Sequence, residues 1–438
     1  MRIHAAVALG SAALVPLALL AAPAQAAQST SSGGSTRLVS VGAHGLQGND
    51  FSSGPTLSTN GRFVAFVSAA SNLVPGDTNG SADVFVRDRY AGTTTRVSVS
   101  SAGMQADNGS FDAAVSATGR YVAFASSATN LVPGLNNALD AVYLHDRATG
   151  STTLVSVSST GVRAGASTIS RHPSISSDGR YVAFYSDSTT LVPGDTNGAE
   201  DVFVRDTLLE TTQRISVSTS GTQAKGDSLE PVISADGRSV AFYSSAPNLV
   251  PGKTNGLWGI FAHDLASGAT TRVSVATDGS LGSGAQLSIS RDGRYVAFAG
   301  WMPGDPPATR GVNRIYLRDR TLGTTTRISV GSTAVPADGT SNFAAVSPDG
   351  RYVGFVSDAT NLVAGDTNSS GDVFVRDVRL GTTTRVNVAD DGSQAGFENT
   401  SGPPALSWGD KVVAFVSAAD NLVPQDSNGT SDVFVRLP

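Results

Sequence analysis

The chain has 438 residues, a formal net charge of −6 and no cysteine. Without cysteine it can form no disulfide, no thiolate metal site and no cysteine nucleophile. The negative charge disfavours nucleic acid and anionic membranes as partners, because both repel an acidic surface. Glycine is abundant, with 48 residues, and long helical patterns are few, so the composition indicates an all-β protein with many turns.

The first 26 residues predict a secretion signal. Arg2 supplies the positive start, an apolar stretch follows, and Ala24-Gln25-Ala26 offers small residues for cleavage. An uncleaved membrane anchor is the alternative, although Pro16 interrupts the apolar run. We therefore expect a mature protein that is secreted or held in the cell envelope without membrane insertion, with residues 27–35 as a flexible linker.

From Gly61 onward the sequence consists of seven repeats. The phrase GRYVAF recurs with variations, and its last aromatic residue falls at Phe66, Phe124, Phe184, Phe242, Phe298, Phe355 and Phe415. A phrase similar to DVFVRD follows in every copy, and one similar to TTTRVSV follows in the first six. The seventh copy lacks this third phrase, which stands instead as STRLVSV at residues 35–41, ahead of the first copy.

Each repeat predicts four short strands. In the third copy the first strand ends at Ser176, the second spans Arg180 to Ser186, the third spans Asp201 to Arg205, and TTQRISVS forms the fourth. YVAF is apolar on both faces, as in a strand covered on both sides, whereas TTTRVSV alternates like a half-exposed edge strand. Seven such units predict an all-β, seven-bladed β-propeller of four-stranded blades over residues 36–438.

The split repeat predicts how the ring closes. The last blade takes three strands from Ser401 to Arg436 and its outermost strand from Thr36 to Val41. This pairing removes an open sheet edge. An open β-solenoid is the alternative, but it would have no reason to divide one repeat between the two ends of the chain.

The repeated turn and strands resemble a known family. S-x-D-G-R-Y-V-A-F, followed by D-V-F-V-R-D and G-T-T-T-R, is similar to the WD40-like PD40 repeats of TolB-type propellers. The resemblance extends from Thr36 to Arg436 and departs from the Asp-Gly turn at Asn60-Gly61, Thr118-Gly119 and Gly409-Asp410. It implies a scaffold for protein or ligand contacts, usually in the bacterial envelope.

A first candidate site is the long loop between the second and third strands, which carries Asp-x-Asn-x-x-x-Asp in four copies. Its residues are Asp77, Asn79, Asp83; Asp195, Asn197, Asp201; Asp366, Asn368, Asp372; and Asp426, Asn428, Asp432. Oxygen ligands at alternate positions suit calcium. They equally suit a turn in which Asp and Asn bond the local backbone. Lys253 stands at the first position of the fourth copy and favours the turn, because a protonated lysine cannot ligate calcium.

A second candidate site is the mouth of the central channel, near the start of each first strand and on the face with the long loops. The repeats diverge there in polar residues: Asp112, Arg171, His172, Glu230, Gln286, Asn342 and Glu398. Such residues on a repeated scaffold indicate either distinct subsites or solvated loop polarity. We expect a monomer with a protein or glycan partner on this face. Trp258, Trp301 and Trp408 could stack against sugars, although scattered tryptophans more often pack loops.

The remaining motifs give little sign of catalysis. Repeated ion pairs such as Asp88 with Arg96 are expected to be structural cross-strand pairs. The sequence has no G-x-S-x-G nucleophile elbow and no H-E-x-x-H zinc motif. It therefore predicts a non-enzymatic protein- or ligand-binding scaffold, with an extracellular hydrolase or lyase acting on a glycan or small metabolite as the alternative.

Overall fold

The computed structural model describes residues 34–134, 139–165, 167–252, 254, 256–305, 312–396, 402–408 and 412–437. The predicted signal sequence, most of the predicted linker and Glu398 lie outside these described residues. In the described part of the chain, no helix is long and apolar enough to cross a membrane.

The strands form seven four-stranded antiparallel sheets, which are the blades. Blade 1 contains β2 (Ser52–Leu57), β3 (Phe63–Ser68), β4 (Asp83–Asp88) and β5 (Thr93–Arg96). Blade 2 contains β6 (Ser110–Val115), β7 (Tyr121–Ser126), β8 (Ala141–Asp146) and β9 (Ser151–Leu154). Blade 3 contains β10 (Ser170–Ile175), β11 (Tyr181–Ser186), β12 (Asp201–Asp206) and β13 (Thr211–Arg214). Blade 4 contains β14 (Ser228–Ile233), β15 (Ser239–Ser244), β16 (Gly259–Asp264) and β17 (Thr270–Arg272).

Blade 5 contains β18 (Ser283–Ile289), β19 (Tyr295–Trp301), β20 (Arg314–Asp319) and β21 (Thr324–Arg327). Blade 6 contains β22 (Ser341–Val346), β23 (Tyr352–Ser357), β24 (Asp372–Asp377) and β25 (Thr382–Arg385). Blade 7 contains β26 (Ala405–Leu406), β27 (Val413–Ser417), β28 (Asp432–Leu437) and, as its outermost strand, β1 (Ser35–Leu38). A short 3-10 helix, Ala43–Gly45, lies between β1 and β2.

The predicted closure of the ring is confirmed. Strand β1 pairs antiparallel with β28, and Leu38 lies opposite Phe434. The strand is shorter than the predicted segment from Thr36 to Val41. It ends early because the Ser40 hydroxyl, rather than a backbone carbonyl, accepts the Val433 N–H at 3.1 Å. Ser98 does the same for Val84 in blade 1, and the other outer strands leave their ladders at the same serine except in blade 6, where Asn387 Oδ1 is the acceptor.

The core lies between neighbouring blades. Phe66 and Phe85 are fully buried and stack with ring centroids 5.8 Å apart. They pack in one cluster with Val412 and Val433 of blade 7. The YVAF strand is therefore covered on both faces, as its sequence predicts, and each fully buried side chain of this size contributes about 1.5–3 kcal/mol.

The first strands of the blades line the central channel. Neighbouring first strands contact one another around the ring, from β2 and β6 to β22 and β26. Each of them starts on the face that carries the long loops, because the four strands of a blade alternate in direction. Side chains near the start of a first strand therefore lie at the channel mouth.

Candidate binding site at the channel mouth

An irregularity in six first strands shapes the channel mouth. The pairing between first and second strands shifts register near the start of β2, β6, β10, β14, β18 and β22. Within each shift one residue has a φ between 48° and 58°: Gly54, Asp112, His172, Glu230, Gln286 and Phe343. The left-handed conformation costs a non-glycine residue of order 1–3 kcal/mol, and such strain clusters at functional sites.

Two pairs of these residues contact each other across neighbouring blades. The His172 N–H donates a hydrogen bond to Asp112 Oδ2 at 3.3 Å, and His172 Nε2 lies 3.9 Å from the same oxygen. The Phe343 N–H donates to Gln286 Oε1 at 3.0 Å. The bulges thus link neighbouring blades through a side chain on one and a backbone amide on the other.

A group of aromatic and charged side chains surrounds the mouth at blades 2 and 3. The His172 ring stacks on Tyr185, with centroids 5.7 Å apart. Burial raises the pKa of Tyr185 to about 12, and the carboxylates of Glu200, Asp112 and Glu230 act in the same direction. Arg171 acts in the opposite direction, with a larger effect than Asp112 or Glu230. The Tyr185 hydroxyl therefore stays protonated at neutral pH.

The same group continues into blade 4. The rings of Tyr243 and Trp258 stack with centroids 4.4 Å apart, and both side chains are partly exposed. Burial, followed by the nearby Glu230 carboxylate, raises the pKa of Tyr243. Burial raises the pKa of Glu200 as well, with the carboxylates of Asp227 and Asp187 contributing.

The two basic side chains of the mouth already face aspartates. Arg171 forms an ion pair with Asp140, and its guanidinium lies 5.0 Å from the centroid of the Phe111 ring. His172 faces Asp112. The carboxylates of Glu200 and Glu230 thus remain as hydrogen-bond acceptors beside the aromatic faces, an arrangement that suits the hydroxyl or amine groups of a ligand and its apolar face.

Four of the predicted binding residues therefore come together: Asp112, Arg171, His172 and Glu230. Asn342 lies in blade 6, where its side-chain oxygen accepts a hydrogen bond from Asn313 Nδ2 at 2.8 Å. We define the mouth site as Asp112, Arg171, His172, Tyr185, Glu200, Glu230, Tyr243 and Trp258.

Sequence reasoning missed two residues of the mouth site that carry a visible signal. Tyr185 and Tyr243 both follow the repeated phenylalanine of the second strand. The other five copies have Val or Ala at this place: Val67, Ala125, Ala299, Val356 and Val416. Two consecutive blades with an aromatic residue at a position otherwise occupied by a small one would have located the mouth site.

Three of the four loops proposed for calcium are held together by an arginine. In blade 1, Arg96 Nη1 lies 3.3 Å from Asp77 Oδ1 and 3.2 Å from Asp83 Oδ2. Arg214 and Arg385 bridge the same two aspartates in blades 3 and 6. The Asn79 amide donates to Asp83 and its oxygen accepts the Ser81 N–H, as in a side-chain-stabilised turn.

In blades 1, 3 and 6 a guanidinium thus lies between the carboxylates that calcium would need, whereas in blade 7 the Gln47 amide donates to both Asp426 and Asp432. Nowhere in the described ranges do three or more His, Asp and Glu residues form a group that could hold a metal ion. The geometry supports the structural turn and gives calcium no support.

The prediction that Asp88 pairs with Arg96 is wrong. Asp88 instead accepts two hydrogen bonds from Arg62, at 2.9 and 2.6 Å. The register explains this, since Asp88 lies opposite Phe63, next to Arg62, whereas Arg96 lies opposite Phe85 nearer the long loops. Ion pairs equivalent to Arg62 with Asp88 recur in blades 2, 3, 5 and 6. The repeated pairs are therefore structural, as predicted.

Comparison with known proteins gives matches of fold. No protein-family model and no curated protein matches the chain. Oligogalacturonate lyase from Vibrio parahaemolyticus aligns with a TM-score of 0.52 at 11% identity, covering 87% of this chain and 88% of that chain. The β-propeller domain of the Trilobed protease from Pyrococcus furiosus, described as having an open velcro topology, aligns with a TM-score of 0.50 at 13% identity, covering 84% and 89%.

A TolB structure is also among the matches. TolB from Acinetobacter baumannii aligns with a TM-score of 0.42 at 16% identity, covering 75% of this chain and 64% of that chain. At these identities the likenesses establish the propeller fold alone. Membership of the PD40 family stays an interpretation of the repeated phrases.

Proposed function

We propose that this chain is an exported binding scaffold that takes a neutral or amine-bearing glycan at the mouth site. The observation that carries the proposal is the convergence of Asp112, His172 and Glu230, all in the left-handed conformation, with the aromatic rings of Tyr185 and Trp258. Carboxylates accept hydrogen bonds from hydroxyl and ammonium groups, and aromatic rings pack against the apolar face of a sugar.

The charge of the mouth site argues for this ligand class over a polyanion. Its arginine, Arg171, is engaged by Asp140, which leaves the carboxylates of Glu200 and Glu230 to set the local potential. An oligogalacturonate, the substrate class named for one protein of similar fold, would be repelled here.

The second candidate is a hydrolase or lyase acting on a glycan at the same mouth. Burial raises the pKa of Glu200, and this observation favours the second candidate because a general acid needs a carboxyl group whose pKa is raised. Glu230 or Asp112 would then supply the second carboxylate.

Retention of defined oligosaccharides by the mature protein tests the proposal. Neutral, amine-bearing and polyuronate oligosaccharides are offered to the native chain and to Glu230→Gln and Trp258→Ala variants. Glu210→Gln, an exposed glutamate in the turn between β12 and β13 on the opposite face, is the matched control. We expect neutral or amine-bearing sugars to be retained, roughly tenfold more weakly by the mouth variants and equally well by the control.

Two results would count against this function. Retention that the mouth variants leave unchanged would place binding elsewhere, and retention of polyuronates alone would contradict the charge argument. Mass spectrometry of the recovered sugars separates the two candidates, because shortened or unsaturated products would establish catalysis. Export and the monomeric state stay predictions from the sequence.

A further inference from the structure

Blade 7 holds an unneutralised version of the aspartate pair found in three other blades. In blades 1, 3 and 6 the bridging arginine lies on the fourth strand, opposite the phenylalanine of the third strand, as Arg96 lies opposite Phe85. In blade 7 the residue opposite Phe434 is Leu38. Asp426 and Asp432 therefore face each other without the guanidinium that the repeat otherwise supplies.

Only neutral groups lie against this pair among the described residues. Gln47 Nε2 donates to Asp426 Oδ1 and to Asp432 Oδ2, both at 2.7 Å. Asn428 Nδ2 donates to Asp432 Oδ2 at 2.9 Å, and the Ser40 hydroxyl donates to Asp432 Oδ1 at 2.5 Å. Asp426 Oδ2 is buried and accepts no hydrogen bond. The remaining charged group that acts on Asp426 is the Asp420 carboxylate.

The pair lies at the seam of the ring. Ser40 and Gln47 belong to the N-terminal segment, whereas Asp426 and Asp432 belong to the last blade. Gln47 also accepts the Ser427 N–H at 3.1 Å. The charge state of the two carboxylates therefore acts on the contact that joins the two ends of the chain.

We propose that blade 7 is a proton-dependent latch. One proton held by this pair, on Asp426, takes the role that the guanidinium has in blades 1, 3 and 6. When this proton is lost, two buried carboxylates repel each other with only the Gln47 amide between them, and the segment from β1 to Gln47 is held less firmly against the last blade.

The direction of the pH dependence follows from the electrostatics. Burial raises the pKa of Asp426 to about 6, and the carboxylates of Asp432 and Asp420 add to this effect. An unfolded aspartate titrates near ~4. The folded chain thus binds a proton that the unfolded chain has lost, so stability falls as the pH rises from ~4 to about 6 and is constant above.

Hydrogen exchange of the native full-length chain at pH 5.0 and 7.5, corrected for intrinsic rates, tests the latch. We expect backbone amides of residues 35–47 to exchange faster at pH 7.5, by up to roughly tenfold, because at pH 5.0 about a tenth of the full effect of a pKa change from ~4 to about 6 is present. Asp426→Asn removes the repulsion and Leu38→Arg restores the guanidinium. Both variants should exchange equally slowly at the two pH values and melt higher than the native chain at pH 7.5.

The matched control is Asp77→Asn in blade 1, where the carboxylate has Arg96 as its partner and the substitution should lower the melting temperature at pH 7.5. Exchange of residues 35–47 that does not depend on pH, or an Asp426→Asn chain less stable than native at pH 7.5, would overturn the proposal. So would stabilisation by added calcium or potassium that Asp426→Asn abolishes, since a cation would then hold the pair. If Leu38→Arg fails to fold, the exchange and melting of Asp426→Asn alone test the latch.

Discussion

Gly259 lies directly beneath the guanidinium of Arg272, so that a Cβ on Gly259 would come within 2.6 Å of Arg272 Cζ. In blades 1, 3 and 6 an aspartate occupies this position and pairs with the arginine. In blade 4, Arg272 keeps one hydrogen bond, to the Gly282 carbonyl, and its Nε and Nη1 atoms are buried without a partner. Burial accordingly lowers the pKa of Arg272.

The first prediction concerns this arginine. Gly259→Asp should stabilise the chain by about 1.5 kcal/mol, the lower value for a hydrogen bond to a charged group, once the flexible guanidinium has moved aside. Urea unfolding at pH 7 measures the change. Gly259→Asn is the control, with the same shape and no charge, and should give a smaller gain. Equal effects of Asp and Asn would show that Arg272 needs no counter-charge.

The second prediction concerns the left-handed backbone at the channel mouth. Glu230→Gly should raise stability by about 0.5–1 kcal/mol, because glycine adopts a φ of 48° without steric cost, while it weakens glycan retention. Gly54 already occupies the equivalent position in blade 1. Leu229→Gly, one residue earlier, should instead destabilise. If Glu230→Gly is the less stable chain, the conformation is not strained.

The third prediction concerns acid unfolding. The hydrogen bond from Arg62 lowers the pKa of Asp88 to about 2. Because this folded pKa lies below that of an unfolded aspartate, the stabilisation is present at neutral pH and is lost as the pH falls from ~4 to about 2. Asp88→Asn should therefore be destabilised at pH 6 and show a shallower decline in denaturant midpoint below pH 4. A decline as steep as in the native chain would mean that other carboxylates dominate.

The fourth prediction concerns closure of the ring. Deleting residues 36–41 removes most of β1 and exposes the edge of β28, so we expect aggregation or a large fall in melting temperature. Sedimentation and thermal unfolding measure both. Deleting residues 27–33, in the predicted linker, is the control. A chain without residues 36–41 that melts like the native one would contradict the closure.

The repeats made the architecture predictable. Phe66 and its counterparts mark a strand that must be covered on both faces, and the displaced STRLVSV phrase supplies the strand that the last blade lacks. A closed ring of seven blades meets both requirements. The pairing of Arg62 with Asp88 was not predictable in the same way. It depends on the register between β3 and β4, which the sequence pattern does not specify to one residue.

The mouth site was only partly predictable for a different reason. Its polar residues could be located by their divergence from the repeat, but the register shift that places Asp112 and His172 in the left-handed conformation has no sequence signature here. Tyr185 lies on the second strand of blade 3 and Glu200 in the loop after it. They lie near His172 only because the strands of blade 3 pair side by side in the folded protein.

The measurement that tests the mouth site most directly is equilibrium dialysis of the native chain, and of Glu230→Gln, against the oligosaccharide that the native chain retains. The account predicts saturable binding of one sugar per chain, recovery of the sugar chemically unchanged, and affinity at least several-fold weaker in Glu230→Gln. Equal affinity of the two chains, or recovery of a cleaved sugar, would contradict a binding scaffold whose site is the channel mouth.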